Sequence, residues 1–310
     1  MKSIMDIMEK HGVPGKDLGD LPDSPLTFQD GAHCRIEIAG VERPSTFEAM
    51  LRAMEEFQVP VHRAVCAVGG ATCLTSAELK EMARLGAENR IELIMTPAPT
   101  RAWDTGRQIA TPEGYVSGLR TRGSDNLRHV LSDIYRSIEA GIRGFLVVDE
   151  GLLWLLCEMR KAGDLPKETV FKVSVFAGHG NAAGARLLEN IGANTFNPLA
   201  DLTLPMVASI RKTVKIPLDL YVILVDAMGG FNRSWEAAEM ARVASPCYFK
   251  FEPGASEASI YKPYVTEAFH EGLVREKLKM AKILTELIER ENPAIICSDM
   301  GPEDLALPEV

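Results

Sequence analysis

"VFKVSVFAGHGN", residues 170–181, runs from a strand pattern into a turn and then straight into the helical pattern "NAAGARLLENIGA". Side chains alternate between faces along a strand, so Val173 and Val175 share one face while Lys172, Ser174 and Phe176 share the other. Parallel strands buried between helices are normally apolar on both faces. An amine and a hydroxyl in such a run therefore need a reason. Either their face is a solvated edge, or it looks into an interior where neighbouring strands supply polar partners.

The same strand–loop–helix unit recurs on both sides of this stretch. Upstream, "HCRIEIAG", "VHRAVCAV", "RIELIMTP" and "GFLVVD" read as strands. The first is followed by the helix "PSTFEAMLRAMEEFQ", with Ser45 as its expected cap, and the second by "TSAELKEMARLGAE", capped by Thr75 or Ser76. Downstream come "TFNPL", "PLDLYVIL" and "CYFKFEPG", each separated by a helical pattern. Glycines close several helices just before the next strand, as in "RLGAENRIEL" and "NIGANTFN". Eight strands alternating with helices predict an α/β fold, a closed parallel (βα)8 barrel of TIM type. The runner-up, a doubly wound open sheet, lacks a Gly-x-Gly-x-x-Gly after its first strand. We read a single domain: an N-terminal helical extension over 1–30, a barrel core over 33–255 and a long C-terminal helix over 266–290. In that helix Phe269, Leu273, Leu278, Ile283 and Leu287 form the stripe expected to pack on the barrel or on a second subunit of a homo-oligomer.

The chain has 310 residues, 46% hydrophobic and 25% charged, with a net charge of -9. That balance argues against a nucleic-acid partner, because phosphate binding needs basic patches. No apolar run approaches the ~20 residues that span a bilayer, so no membrane partner is expected. The N-terminus carries acidic residues and no secretory pattern, and a cytoplasmic location is the expectation. The six cysteines, Cys34, Cys66, Cys73, Cys157, Cys247 and Cys297, form no Cys-x-x-Cys pair. We expect reduced thiols, no disulfide and no iron–sulfur cluster.

Inward side chains of a barrel alternate along each strand, and its chemistry sits at the carboxyl ends. The polar inward candidates are Arg35 and Glu37 on strand one, His62 on strand two, Glu92 and Thr96 on strand three, and Asp149 and Glu150 after strand four. Strands five to eight add Lys172, Ser174, His179, Asn181, Asn197, Asp219, Tyr221, Lys250 and Glu252. Glu37, Lys172, His179 and Asp149 are the catalytic candidates. Ser174, Asn181, Asn197, Tyr221, Lys250 and the loop glycines Gly229 and Gly230 are the substrate-binding candidates. A divalent metal on Glu37, Asp149 and His179 is a further expectation. Each has a structural alternative: Asn181 as a helix cap, Asn197 as a turn former before Pro198, Lys172 as an ion-pair partner, and His62 as a residue of the stability face.

The segment from Lys172 to Tyr221 resembles the barrel of the collagenase-like proteins called peptidase family U-32. The likeness rests on Asn181 in the turn, on Ala185 to Leu188 and Gly192-Ala193 in one helix, and on Asp201 to Leu204 and Ile210 leading to the next strand. It covers about 50 of the 310 residues. The resemblance implies a barrel and a hydrolase label; in members that hydroxylate RNA or serve ubiquinone synthesis it implies a four-cysteine iron–sulfur cluster. The cysteines here do not reproduce that quartet, and no Gly-x-Ser-x-Gly elbow or Cys–His pairing is visible. The leading reading is an enzyme acting on a small polar, carboxylated or phosphorylated, metabolite by carboxylate or His acid–base chemistry. The alternatives are a hydrolase or peptidase, and a non-catalytic sensor or scaffold.

Overall fold

The computed structural model describes residues 3–98, 120–256, 260–261 and 265–310. Its centre is a closed parallel barrel in sequence order: β1 (Cys34–Ala39), β2 (Arg63–Cys66), β3 (Glu92–Met95), β4 (Gly144–Val147), β5 (Val170–Val173), β6 (Thr195–Phe196), β7 (Leu218–Ile223) and β8 (Cys247–Phe251). β8 returns to β1 with Arg35 opposite Tyr248 and Glu37 opposite Lys250, which closes the ring. Around it lie α2 (Pro44–Phe57), α3 (Ser76–Glu88), α4 (Gly123–Glu139), α5 (Glu150–Ala162), α6 (Ala182–Ile191), α7 (Leu204–Thr213) and α8 (Ala237–Ala244), preceded by the short α1 (Ile4–Lys10). The outward strand residues, such as Ile36, Ala64, Leu93, Phe145 and Phe171, join the helices in one continuous apolar layer. Most of the hydrophobic burial that holds the fold is in this layer. Among the described residues no helix is long and apolar enough to cross a membrane.

Several local expectations are corrected. β5 stops at Val173; Ser174 accepts a hydrogen bond from Phe176 N and starts a 3-10 turn over Val175–Ala177. α2 begins at Pro44 after Arg43, so Ser45 lies inside the helix and instead bonds Glu267 at the start of the terminal helix α9 (Glu267–Glu291). Pro44 explains the shift, since proline suits the first helical position. Thr75 does cap α3, in a reciprocal pair with Glu78. α9 packs against α2 and α8, but through His270, Val274, Lys277, Leu278, Ala281, Leu284 and Ile288. Of the expected stripe only Leu278 is buried; Phe269 and Ile283 face outward. The polar segment after β3 lies mostly outside the described residues.

The expectation of six free thiols is also corrected, because Cys34 at the start of β1 pairs with Cys297, their Cα atoms 4.8 Å apart. After α9 the chain crosses the amino ends of the strands as a strap. Arg35 Nε donates to Ser298 Oγ at 2.9 Å, Ala306 N to Glu92 Oε2 at 3.2 Å and Glu309 N to Gly141 O at 2.9 Å. His62 belongs to this junction. Its Nδ1 accepts from Ile36 N at 3.0 Å, and its Nε2 donates toward the carbonyls of Ser298 and Asp299.

Candidate active site

The lumen holds buried charge where an ordinary barrel holds aliphatic side chains. β1 contributes Glu37, β2 Arg63, β3 Glu92, β5 Lys172, β7 Asp219 and β8 Lys250, with Glu252 just beyond β8. Contacts between non-neighbouring strands show that these groups point inward. Lys172 Nζ lies 2.5 Å from Asp219 Oδ2 and 3.0 Å from Glu37 Oε2. Arg63 is the hub: Nε donates to Glu92 at 2.7 Å, and Nη1 reaches Glu37 at 3.1 Å and Asp219 at 3.0 Å. Thr195 Oγ1 donates to Asp219 Oδ2 at 2.9 Å. An opposite charge at each ion offsets the cost of taking it from water.

Nearer the carboxyl ends, four successive strands each supply a buried polar group. Ser174 follows β5, Asn197 follows β6, Tyr221 lies in β7, and Lys250 and Glu252 come from β8. Lys250 Nζ donates to Tyr221 Oη at 2.7 Å and lies 3.3 Å from Glu252 Oε1 and 3.8 Å from Glu37 Oε1. Asn197 donates to Asp219 O at 2.7 Å, and its side-chain oxygen is buried without a hydrogen-bond partner.

The two lysines are tuned in opposite directions. Burial depresses the Lys172 amine, and Asp219 and Glu37 do not fully offset it, so its pKa falls below the usual lysine value. Burial also works against the Lys250 ammonium, but Glu252, Tyr221 and Glu37 outweigh it and raise its pKa well above the usual value. Glu37 would be pushed up by burial, yet Lys172, Lys250 and Arg63 together bring it from 4.5 to about 2. Lys250 is thus a fixed cation and Glu37 a fixed anion, whereas Lys172 is the amine closest to losing its proton.

The remaining candidates sit elsewhere. Asp149 is the N-cap of α5, accepting from Leu152 N at 2.9 Å, and Asn181 is the exposed N-cap of α6, accepting from Gly184 N at 2.9 Å. His179 turns to Glu150, with Nε2 2.6 Å from Oε1, and Arg120 holds the other oxygen of that carboxylate. Lys172 and His179 are therefore not joined through a common group, and Glu37, Asp149 and His179 do not form a metal site. Among the described residues no three His, Cys, Asp or Glu side chains gather in a way that could hold a metal ion. Gly229 and Gly230 spend their amides inside their own turn, on Asp226 O and Val225 O, and so cannot present them to a phosphate.

Sequence reasoning missed Arg63. It chose the neighbouring His62, which alternation places on the opposite face. The register Glu37↔Arg63↔Glu92 was the signal: two lumenal carboxylates flank that one position.

No family model matches the chain, and no curated protein matches it. Among solved structures, the YdjI aldolase from Escherichia coli K12 superposes with a TM-score of 0.50 at 14% identity, covering 84% of this chain and 94% of that one. A putative fructose-1,6-biphosphate aldolase from Coccidioides immitis gives 0.44 at 12% identity, over 94% and 95% of the two chains. A U32 peptidase gives 0.41 at 15% identity, over 74% and 96%. Likeness at such identities is a likeness of fold, the closed barrel described above.

Proposed function

We propose that the chain is a small-molecule enzyme of lyase or isomerase type, acting by proton transfer on a polar carbonyl metabolite held under the carboxyl ends of β5 to β8. The observation that carries this reading is the convergence of Ser174, Asn197, Tyr221, Lys250 and Glu252 on the end of the barrel where such folds place their chemistry. In this reading Lys250 polarises the substrate carbonyl, the Tyr221 hydroxyl moves a proton, and Asn197 Oδ1 accepts from a substrate hydroxyl. Glu37, Asp219 and Lys172 form the charged floor. Replacing such a network with apolar residues is often neutral or stabilising, so its presence in place of an aliphatic core favours a functional role. The Lys250 ammonium already faces two carboxylates, Glu252 and Glu37. A further strong anion beside Lys250 would meet repulsion from both. The carboxylate or phosphate of the substrate therefore points toward the loops and its carbonyl toward Lys250.

One observation favours a second reading, a non-catalytic barrel: every lumenal cation already has a carboxylate within ion-pair distance. The U-32 resemblance alone supports a peptidase.

A thermal-shift screen of small hydroxy- and oxo-carboxylates and sugar phosphates separates the two main readings. The enzyme reading expects a stabilising compound whose effect disappears in Lys250→Met. A screen without any such compound favours the non-catalytic barrel.

A further inference from the structure

The amino end of the barrel, opposite the candidate active site, contains a cavity of about 150 Å³ roofed by the strap. By volume it would hold about five waters, or one small oxyanion with a water beside it. Three cations and two carboxylates line it: Arg35, Arg63, Lys172, Glu92 and Asp304. The carboxylates are engaged. Glu92 accepts from Arg63 Nε at 2.7 Å and from Ala306 N at 3.2 Å, and Asp304 accepts from Arg35 Nη2 at 2.6 Å. Glu37 and Asp219 lie behind the wall, where Arg63 Nη1 and Lys172 hold them. One strong donor is left over. The guanidinium of Arg63 stacks on the Tyr248 ring at 3.7 Å, and its Nη2 has no hydrogen-bond partner among the described residues. A guanidinium nitrogen without a partner, on a residue that lines a polar cavity whose acidic groups are already paired, selects for an acceptor of negative charge.

We propose that this cavity is an accessory site for one small oxyanion, no larger than inorganic phosphate, bound by Arg63 Nη2 beneath the strap. Its mouth is edged by the half-buried Val170, Asn194, Pro217 and Ala306, so an ion can enter without unfolding the barrel. Arg63 also holds Glu37 and Asp219, the partners of Lys172, so occupancy is felt at the floor of the candidate active site. The site does not depend on the proposed function being right.

The test uses the full chain with inorganic phosphate against sodium chloride of equal ionic strength. At a hundredfold excess over its dissociation constant, phosphate should raise the unfolding midpoint by about 4 °C beyond the chloride effect. Ala306→Leu, which fills the cavity and removes no charge, should abolish the difference, while Lys250→Met at the other end should keep it. In crystals soaked in sodium arsenate, an anomalous peak should lie beside Arg63 Nη2. Equal effects of phosphate and chloride, a shift that survives Ala306→Leu, or no arsenate peak in the cavity beneath the strap would each overturn the proposal.

Discussion

His62 fixes the strap to the barrel, and it should make stability depend on pH in a defined way. Burial lowers its pKa from 6.5 to about 4, with the nearby Arg35 charge adding to the effect. The folded protein therefore keeps the ring neutral where the unfolded chain would protonate it. A base with a depressed folded pKa contributes its stability above the unfolded value and loses it as the pH falls toward the folded one. About 1.4 kcal/mol per pH unit, over the roughly 2.5 units from 6.5 to 4, gives about 3 kcal/mol lost. The perturbation is His62→Asn, whose side-chain oxygen can replace Nδ1 as the acceptor for Ile36 N. Urea unfolding of both proteins, at several pH values from 7.5 to 4, isolates this residue from the acidic groups they share. The stability advantage of the native protein over the variant should shrink by about 3 kcal/mol across that range. A difference that stays constant with pH would mean that the ring is accessible to protons in the fold, and the account of the strap junction would be wrong.

Lys172→Met leaves Asp219 and Glu37 with a missing partner and should cost about 3–5 kcal/mol in urea unfolding; adding Asp219→Asn should recover part of that loss, and strict additivity would contradict the pairing. Thiol titration of the unfolded protein should find four groups before reduction and six after, because Cys34 and Cys297 are paired; six before reduction would restore the reading of free thiols. Thr75→Ala should cost about 1 kcal/mol, read as a lower urea midpoint at unchanged slope, because it removes one side of the α3 capping pair.

The barrel was legible because its signals are local: short strands, helical periodicity and glycine stops repeated along the chain. Strand parity likewise indicated an inward direction for Glu37, Lys172, Asp219 and Lys250, because each lies between apolar neighbours. It failed at His62 and Arg63, which are adjacent and both polar, so alternation alone cannot choose between them. Pairing register decides, and register is a property of two strands. Asp149 and Asn181 were ambiguous for another reason: a polar residue after a strand can serve a site or cap the next helix, and the capping geometry appears only in three dimensions. The Cys34–Cys297 pair spans 263 residues, and nothing short-range announces it. The strap that unites them, and the cavity beneath it, could not be read before the barrel was closed.

The central claim is that the carboxyl end of the lumen moves protons on a carbonyl substrate. Deuterium incorporation shows this without knowledge of the full reaction. Small hydroxy- and oxo-carboxylates and sugar phosphates are incubated with the protein in D2O, and exchange beside the carbonyl is followed by NMR. The account predicts exchange with at least one compound, reduced by about 100-fold or more in Tyr221→Phe and Lys250→Met variants that remain folded. No exchange with any compound, or equal exchange by the folded variants, would contradict it.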